Sequence, residues 1–221
     1  MSVEKSLHGS PVWAIVPAAG SGSRFGSDTP KQYLPLCGVP VLTRTLSALA
    51  RPGLITCAVV ALAPQDEHFS TLSLPPDLTV EQIEGGQSRL ASVFAGMQHL
   101  AGRASREDWV LVHDAARPLL SEKALQRLFD ALAHSANGGL LALPANDTVK
   151  LAAPIVAQPG TLKTDAAGNN VVVQSTLDRS RVWMAQTPQL FRYGLLYDAL
   201  EKAMTEPNTV VTDEASAMEQ A

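Results

Sequence analysis

The residues best suited to chemistry stand near the N-terminus, in a stretch rich in glycine and serine that carries two cations. Gly20, Gly22 and Gly26 follow a short apolar run and relieve the backbone of steric limits. Arg24 and Lys31 come next in the sequence. Exposed backbone N–H groups can cradle phosphate oxygens, and two cations can neutralise charge that develops during phosphoryl transfer. The pattern favours a site for a small phosphorylated ligand; a tight strand-to-helix turn with two solvated cations is the alternative.

This stretch is close to two common phosphate-binding motifs and matches neither. A GxGxxG dinucleotide fingerprint that begins at Gly20 would need a glycine at position 25, which is Phe25. A P-loop would need Gly-Lys-Ser or Gly-Lys-Thr after four spacer residues, and the stretch does not contain it. The motif therefore indicates an anion site without identifying its ligand.

A second group of chemistry-bearing residues follows the apolar run WVLV. Asp114 can accept a hydrogen bond from a hydroxyl or a metal-bound water, and Arg117 is a fork-shaped anion donor. A simple Asp–Arg pair that caps the next helix is the alternative. We interpret His113 as a core or supporting residue rather than an acid or base. The five histidines are scattered without metal-ligand spacing, which argues against a zinc site built by the protein.

Composition and charge limit the classes of ligand and setting. The chain has 221 residues, of which 46% are hydrophobic and 17% charged, as expected for one globular domain. The net charge of −4 argues against general binding to nucleic acid or to a membrane surface. Two cysteines give no disulfide framework, and the polar first ten residues show no secretory signal. We therefore expect a cytoplasmic protein.

The elements that must position these residues alternate between strand and helix. Strands are predicted at Trp13–Pro17, at Cys57–Ala63, in the TVEQIEGG stretch that ends in Gly85 and Gly86, in the stretch from Trp109 that stops at Asp114, and at Gly138–Pro144. Helices are predicted at Val41–Ala50, Ser88–Leu100 and Glu122–His134. This alternation predicts a three-layer α/β fold with a mostly parallel, doubly wound, Rossmann-like sheet. Ligands of such sheets bind beyond the carboxyl ends of the strands, where the polar motifs stand.

One segment, at about 150–176, interrupts this alternation. It contains turn signals at Pro159-Gly160 and Gly168-Asn169-Asn170, and too few large apolar residues for a core of its own. We predict a β-arm that protrudes from a single domain spanning residues 1–221. Because an isolated hairpin is marginal in water, we interpret the arm as packing on a second copy in a homodimer. A mobile flap is the alternative.

Five motifs in order resemble one family of enzymes. They are PAAGSGSRFGSDTPKQYLPLCGVPVL, VLVHDAARP, NDTVK, AQTPQLF and VTDEASAME, between about Val12 and Met218. The first resembles nucleotidyltransferases that act on sugar or polyol phosphates, and the set resembles the 2-C-methyl-D-erythritol 4-phosphate cytidylyltransferase family of the non-mevalonate isoprenoid pathway. This resemblance implies cytidylyl transfer from CTP to methylerythritol phosphate, release of pyrophosphate, and a need for magnesium, Mg²⁺.

Two other functions stay open from the residues themselves. One is a cytidylyltransferase for another polyol phosphate, such as ribitol 5-phosphate. The other is a regulatory protein that binds a nucleotide without turnover. The presence of both Arg24 and Lys31 favours an enzyme.

The resemblance also implies roles for matching residues. Catalysis would depend on Arg24, Lys31 and Arg179, and Arg179 would reach into the neighbouring subunit's site. CTP would be held by Pro17, Ala18, Ala19, Gly20, Ser21, Gly22, Gly86, Gln87, Arg89 and Ser92. The acceptor would be held by Asp114, Ala115, Arg117, Thr148, Thr187 and Thr212. Gln87 stands where the family often has an acidic residue, and protein ligands of the metal are left unassigned.

The last motif predicts a helix that starts near Asp213. The family normally continues with one more strand and helix, which carry a lysine for the acceptor's phosphate. We expect a chain ending at Ala221 to show a raised KM for methylerythritol phosphate.

Overall fold

The structure, a computed structural model, describes residues 9–20, 29–51, 54–153, 172–206 and 210–221. The chain divides into two units. The first runs up to Leu141 and resumes at Thr187, and the second is Ala142–Gln186. The arm predicted at about 150–176 falls within the second unit.

The main sheet has six strands in the order β5-β4-β1-β6-β10-β7. In chain order the strands are β1 Val12–Ala18, β2 Pro35–Leu36, β3 Val39–Pro40, β4 Cys57–Leu62, β5 Val80–Glu84, β6 Trp109–Val112, β7 Gly138–Pro144, β8 Lys150–Ala152, β9 Val173–Thr176 and β10 Trp183–Arg192. The helices are α1 Val41–Leu49, α2 Arg89–His99, α3 Glu122–Leu132, α4 Tyr193–Thr205 and α5 Glu214–Glu219. Strand β1 pairs in parallel with β4 and β6, β4 pairs in parallel with β5, and β10 is antiparallel to β6. The predicted mostly parallel α/β sheet is confirmed.

Strand β1 lies inside the sheet, and both of its faces are covered. Ala14 and Val16 belong to a core shared with α1 and α3, whereas Trp13 and Ile15 belong to a second core shared with α2, α4 and α5. Alternate side chains of a strand point to opposite faces, so an unbroken apolar run suits a strand that is covered on both. The result is the three-layer arrangement that the sequence predicts.

Helix α2 packs closely on β1 at one point. A Cβ added to Gly96 would lie 2.8 Å from Cγ2 of Ile15, so a larger residue would force the helix outward. The side chain of Ser88 caps the helix by accepting from the backbone N–H of Ala91 at 3.1 Å. The close packing and the cap together fix the start of α2 near the carboxyl end of β1.

Two elements of the sheet layers are absent from the sequence-based predictions. In β10 the apolar run is broken by Gln186, Thr187 and Pro188. Because proline has no N–H to donate to a neighbouring strand, its presence argues against a strand in the sequence, and β10 was not predicted. In α4 the spacing of Leu196 and Leu200 does carry a helical signal. The predicted strands and helices agree with the observed ones to within two residues at each end.

The second unit contains a two-stranded antiparallel pairing. Strand β8 pairs with β9, and the ammonium of Lys150 donates to Oγ1 of Thr176 at 2.7 Å. The paired strands lie at the two ends of the arm predicted at about 150–176, and its protrusion from a single domain stays a prediction. Residues 154–171, which include both turn signals, lie outside the described residues. None of the helices in the described part of the chain has the length and apolar character needed to cross a bilayer.

Candidate active site

A cavity of about 610 Å³ opens at the carboxyl end of β1. Four segments line it: the end of β1 with the loop that follows, a short 3-10 helix at Lys31–Tyr33, the turn before α2 with its first turn, and the segment after β6. This volume lies in the usual range for small-molecule sites. The predicted residues that line it are Pro17, Ala18, Ala19, Gly20, Lys31, Gly86, Gln87, Arg89, Ser92, Asp114, Ala115 and Arg117.

The remaining predicted residues fall into three groups. Ser21, Gly22 and Arg24 lie outside the described residues. Thr148 and Arg179 belong to the second unit, where the guanidinium of Arg179 donates to the carbonyl of Asn146 at 2.8 Å. Thr187 and Thr212 belong to the first unit, but neither lines this cavity. Thr212 lines a neighbouring cavity of about 160 Å³ that also includes Arg89.

Gln32 joins the 3-10 helix to the end of β1. Its side chain is only 3% exposed, and its amide donates to the carbonyl of Ala18 at 2.8 Å and to that of Gly20 at 3.2 Å. The neighbouring Lys31 is exposed on the cavity wall. Gln32 therefore holds this lysine beside the loop that is predicted to contact the phosphates. Sequence reasoning missed this role, although a polar residue beside the catalytic candidate was a signal.

The other end of the 3-10 helix is anchored to the loop after β4. The hydroxyl of Tyr33 donates to Oδ2 of Asp66 at 2.7 Å, and Oδ1 of Asp66 accepts from the backbone N–H groups of His68 and Phe69. Burial, followed by the contact with Asp66, raises the pKa of Tyr33, so the phenol stays a donor. Two side-chain anchors thus fix the short helix that carries Lys31.

The glycine turn before α2 has no room for a side chain. A Cβ on Gly85 would lie 2.8 Å from Cβ of Ala19 and 3.1 Å from the carbonyl oxygen of Leu62. The buried hydroxyl of Ser92 accepts from the N–H of Gly86 at 3.1 Å and donates to the carbonyl of Ser88 at 2.9 Å. The single proton of this hydroxyl is engaged within the protein, so Ser92 shapes the turn that lines the cavity.

Asp114 lies between two guanidinium groups. Its Oδ1 accepts from Nε of Arg89 at 3.2 Å, and its Oδ2 accepts from Nε of Arg117 at 2.9 Å. Burial by itself would raise the pKa of Asp114, but Arg89 and Arg117 outweigh it and lower the pKa. Asp114 is therefore ionised at neutral pH. The Asp114–Arg117 pair considered from the sequence is present, and Arg89 adds a second cation.

His113 and Thr187 support the segment of Asp114 from inside the protein. Nε2 of His113 lies 3.0 Å from the carbonyl of Arg117, and Nδ1 lies 2.9 Å from Oγ1 of Thr187. Since a carbonyl only accepts, we assign the proton to Nε2, and Thr187 then donates to Nδ1. The same Oγ1 accepts from the N–H of Asp114 at 3.2 Å. Burial lowers the pKa of His113, which keeps the ring neutral.

These contacts decide how the two residues are interpreted. His113 is a supporting residue, as the sequence predicts. The Thr187 hydroxyl donates its only proton to His113 and accepts from the N–H of Asp114, and the residue is buried. The structure therefore shows Thr187 supporting Asp114, and its contact with an acceptor stays a prediction.

In the described ranges, few side chains could hold a metal ion without help from a bound ligand. They contain no group of three or more His, Cys, Asp or Glu side chains placed to hold a metal ion. Among the described residues that line the cavity, Asp114 supplies the one carboxylate, and two arginines already occupy it.

The sheet and its cavity define the class of protein. A doubly wound sheet, a loop with small residues after the first strand, and cations at the same edge are the features of an α/β nucleotide-binding protein. The family model for IspD, 2-C-methyl-D-erythritol 4-phosphate cytidylyltransferase, matches residues 12–221. The chain belongs to that family, and it is a cytidylyltransferase.

Individual relatives agree with this assignment. The chain is 47% identical over 207 residues to the 2-C-methyl-D-erythritol 4-phosphate cytidylyltransferase of Chromobacterium violaceum, covering 93% of this chain and 83% of the relative. The Pseudomonas aeruginosa enzyme of the same name is 43% identical over 208 residues, covering 94% and 82%. The crystal structure of the Francisella tularensis enzyme superimposes with a TM-score of 0.72 at 33% identity, covering 96% of this chain and 86% of that one.

Proposed function

We propose that the cavity at the carboxyl end of β1 is where this cytidylyltransferase joins CTP to 2-C-methyl-D-erythritol 4-phosphate. The reaction of the family gives 4-diphosphocytidyl-2-C-methyl-D-erythritol and pyrophosphate, a step of isoprenoid precursor synthesis. One observation carries the proposal: Lys31, Arg89 and Arg117 line the same cavity as the backbone that follows β1. Lys31 suits a phosphate of the triphosphate, and the guanidinium groups of Arg89 and Arg117, although paired with Asp114, line the same wall as further donors.

The chemistry requires positioning and charge neutralisation rather than a strong base. An oxygen of the acceptor's phosphate attacks the α-phosphorus of CTP and forms a new P–O bond. The bond between the α-phosphorus and the bridging oxygen breaks, and pyrophosphate leaves with that electron pair. A phosphate monoester is already a nucleophile, so no proton has to be removed.

Lys31 and Arg24 are proposed to stabilise the charge that grows on the α-phosphate and the leaving pyrophosphate. Lys31 is exposed on the cavity wall, and Gln32 and Tyr33 hold its helix in place. Arg24 lies outside the described residues, so its role follows from the sequence motif and the family resemblance. Donors fixed in advance lower the barrier because they need no reorganisation during the reaction.

Magnesium is proposed as the divalent cation, because a triphosphate needs its charge screened. Asp114 is engaged by Arg89 and Arg117, so the residues present fit a metal held chiefly by phosphate oxygens and water. Bound in this way, Mg²⁺ would neutralise the negative charge of the triphosphate.

On the acceptor side, Asp114, Ala115 and Arg117 are proposed to hold methylerythritol phosphate. The ionised Asp114 can accept from a hydroxyl of the acceptor, and Arg117 can donate to its phosphate. Thr148, Thr187 and Thr212 are assigned to the acceptor by the resemblance, and Thr187 acts from behind Asp114 in the structure.

We propose that the enzyme is a homodimer that forms through the second unit. This unit exposes several large apolar side chains, among them Val172 at 72%, Trp183 at 61% and Met184 at 53%. Several exposed large apolar side chains in one unit favour an interface there. In a dimer, Arg179 would enter the partner's site, as it does in the family. The two free cysteines, Cys37 and Cys57, suit the reducing cytoplasm that we propose as its location.

The direct test is pyrophosphate release with CTP and a panel of polyol phosphates. We expect release with methylerythritol phosphate, and its loss in Lys31→Ala but not in Lys123→Ala, which removes an exposed lysine of α3. Equal or faster release with ribitol 5-phosphate would favour the other cytidylyltransferase. Binding of CTP without release with any acceptor would favour a regulatory protein.

A further inference from the structure

The buried carboxylate of Glu214 binds Arg89. The proposed chemistry gives this carboxylate no role. Nη1 and Nη2 of Arg89 donate to the two carboxylate oxygens of Glu214 at 2.6 Å and 2.9 Å. Glu214 is 1% exposed, and burial raises its pKa against the opposing effect of Arg89. The two residues open helices α2 and α5 and are 125 positions apart.

The contact fixes the direction of the guanidinium. Because the group is planar, a bidentate bond through both Nη atoms sets its plane and leaves Nε at the side. That Nε is the atom that donates to Oδ1 of Asp114 at 3.2 Å. Since Arg117 donates to Oδ2, the four side chains form a line of alternating charge: Glu214, Arg89, Asp114 and Arg117.

Glu214 is itself held firmly by the sheet. Oε1 of Gln189 on β10 accepts from the N–H of Ala215 at 2.8 Å, and its Nε2 donates to Oδ2 of Asp213 at 2.7 Å. Asp213 caps α5 and also accepts from the N–H of Ser216 at 2.9 Å. The start of α5 is therefore fixed by a buried side chain on the central sheet.

Stability alone gives a weak reason for this arrangement. A buried ion pair is generally no more stabilising than an apolar pair of similar shape, because both charges lose water. A carboxylate that accepts from both Nη atoms does, however, hold the guanidinium in one orientation at the wall of the cavity. Arg89 lines both the large cavity and the smaller one that includes Glu214.

We propose that Glu214 is a positioning residue for the acceptor side of the site, which acts by fixing Arg89 and, through Arg89, the carboxylate of Asp114. This inference deepens the proposed function and rests on it, because Asp114 is there the residue that contacts methylerythritol phosphate. Without Glu214, Arg89 is free to turn both of its Nη groups toward Asp114 and draw that carboxylate away from the acceptor.

The test is a double-mutant cycle in kcat/KM for methylerythritol phosphate. Glu214→Gln keeps the size of the side chain and removes its charge, and Asp114→Asn does the same at the other end of the line. If Glu214 acts through Asp114, the fold-loss in kcat/KM of the double variant should be smaller than the product of the two single fold-losses, by a factor of at least about three. Glu214→Asp, which keeps the charge, should lie between wild type and Glu214→Gln.

A purely structural role for Glu214 predicts a different result. Glu214→Gln would then lower the melting temperature, and its effect on kcat/KM would multiply with that of Asp114→Asn to within about threefold, which would overturn the inference. Asp198→Asn, which removes an exposed partner of Arg106, is the control. Its fold-effect on kcat/KM should multiply with that of Asp114→Asn.

Two further outcomes are distinguishable. If Glu214→Gln does not fold, Glu214→Asp takes its place in the cycle with the same criterion. A folded wild-type enzyme that releases no pyrophosphate from CTP and methylerythritol phosphate would overturn the proposed function and the inference with it. Wild-type turnover combined with multiplicative losses would overturn the inference alone.

Discussion

The side-chain amide of Gln32 donates to the carbonyl oxygens on both sides of Ala19, those of Ala18 and Gly20. The buried amide thereby joins the end of the first strand to the helix that carries Lys31. Replacing it with a residue that cannot donate leaves two carbonyls without their partner and frees the lysine to move.

We therefore expect Gln32→Met, which has a similar length and no donor, to lower kcat by about tenfold or more. It should also reduce the free energy of unfolding by about 1–3 kcal/mol, because buried acceptors lose their donor. Steady-state kinetics and urea unfolding measure both effects. Gln98→Met, at an exposed position of α2, is the matched control and should change neither. An unchanged kcat in a folded Gln32→Met enzyme would show that the lysine needs no such anchor.

Removing the cations themselves should affect the rate more than the binding of CTP. Lys31→Ala and Arg24→Ala should each lower kcat by about 100-fold, since one oriented donor to transition-state charge is worth about 3 kcal/mol. The dissociation constant of CTP, measured by calorimetry, should change much less. A variant that keeps its kcat and loses only CTP affinity would contradict the assigned role for that residue.

Thr187 should matter through the backbone that it supports. Thr187→Val keeps the shape of the side chain and removes both the acceptor for the N–H of Asp114 and the donor to His113. We expect a loss of about 1–2 kcal/mol in stability and a raised KM for methylerythritol phosphate, with CTP affinity nearly unchanged. Thr187→Ser keeps the hydroxyl and should restore most of the KM. Equal KM values for the valine and serine variants would show that the hydroxyl is dispensable.

Acid should weaken one surface contact between β5 and the end of α2. Hydrogen bonds from Arg103 and His99 lower the pKa of Glu81 from 4.5 to about 2. A carboxyl with a lowered folded-state pKa stabilises the fold above its unfolded pKa and loses that contribution as the pH falls. The free-energy difference between wild type and Glu81→Gln should be about 0.5–1 kcal/mol near pH 7, because the pair is partly exposed.

That difference should disappear between about pH 4.5 and pH 2, the window set by the two pKa values of Glu81. Urea unfolding at several pH values measures it. Glu201→Gln, which removes an exposed carboxylate of α4, serves as the matched control. A constant difference for Glu81→Gln would mean that the carboxylate is not held ionised by its neighbours.

The sequence predicted those parts of the site that depend on local pattern and sheet topology. Asp114 and Gly86 both stand at the ends of predicted strands, and the carboxyl ends of parallel strands meet at one edge, so their convergence was expected. The contact between Arg89 and Glu214 was not predictable in this way. It depends on where α5 packs, and α5 is held by Gln189 on β10, a strand that Pro188 conceals in the sequence.

Side chains that hold the backbone around site residues in place are also hard to recognise in a sequence. Gln32 and Thr187 act by binding backbone groups close to the predicted site residues, so their importance depends on distances of about 3 Å that no spacing rule fixes. The family resemblance assigns Thr187 to the binding of the acceptor. The structure shows the contact by which Thr187 can affect that binding, a hydrogen bond from the N–H of Asp114.

The last prediction concerns Arg179 and the proposed homodimer. If Arg179 of one subunit completes the site that contains Lys31 of the other, a mixed dimer of an Arg179→Ala subunit and a Lys31→Ala subunit has one site with both residues and one with neither. Such a heterodimer, purified with two different affinity tags, should recover up to about half of the wild-type kcat, because fixed donors act only within their own site. Homodimers of either variant, in which every site lacks one of the two residues, are the controls and should stay near their low basal rates. Were each Arg179 to serve the Lys31 of its own chain, every site of the mixed dimer would lack one residue, and its rate would stay at the basal level.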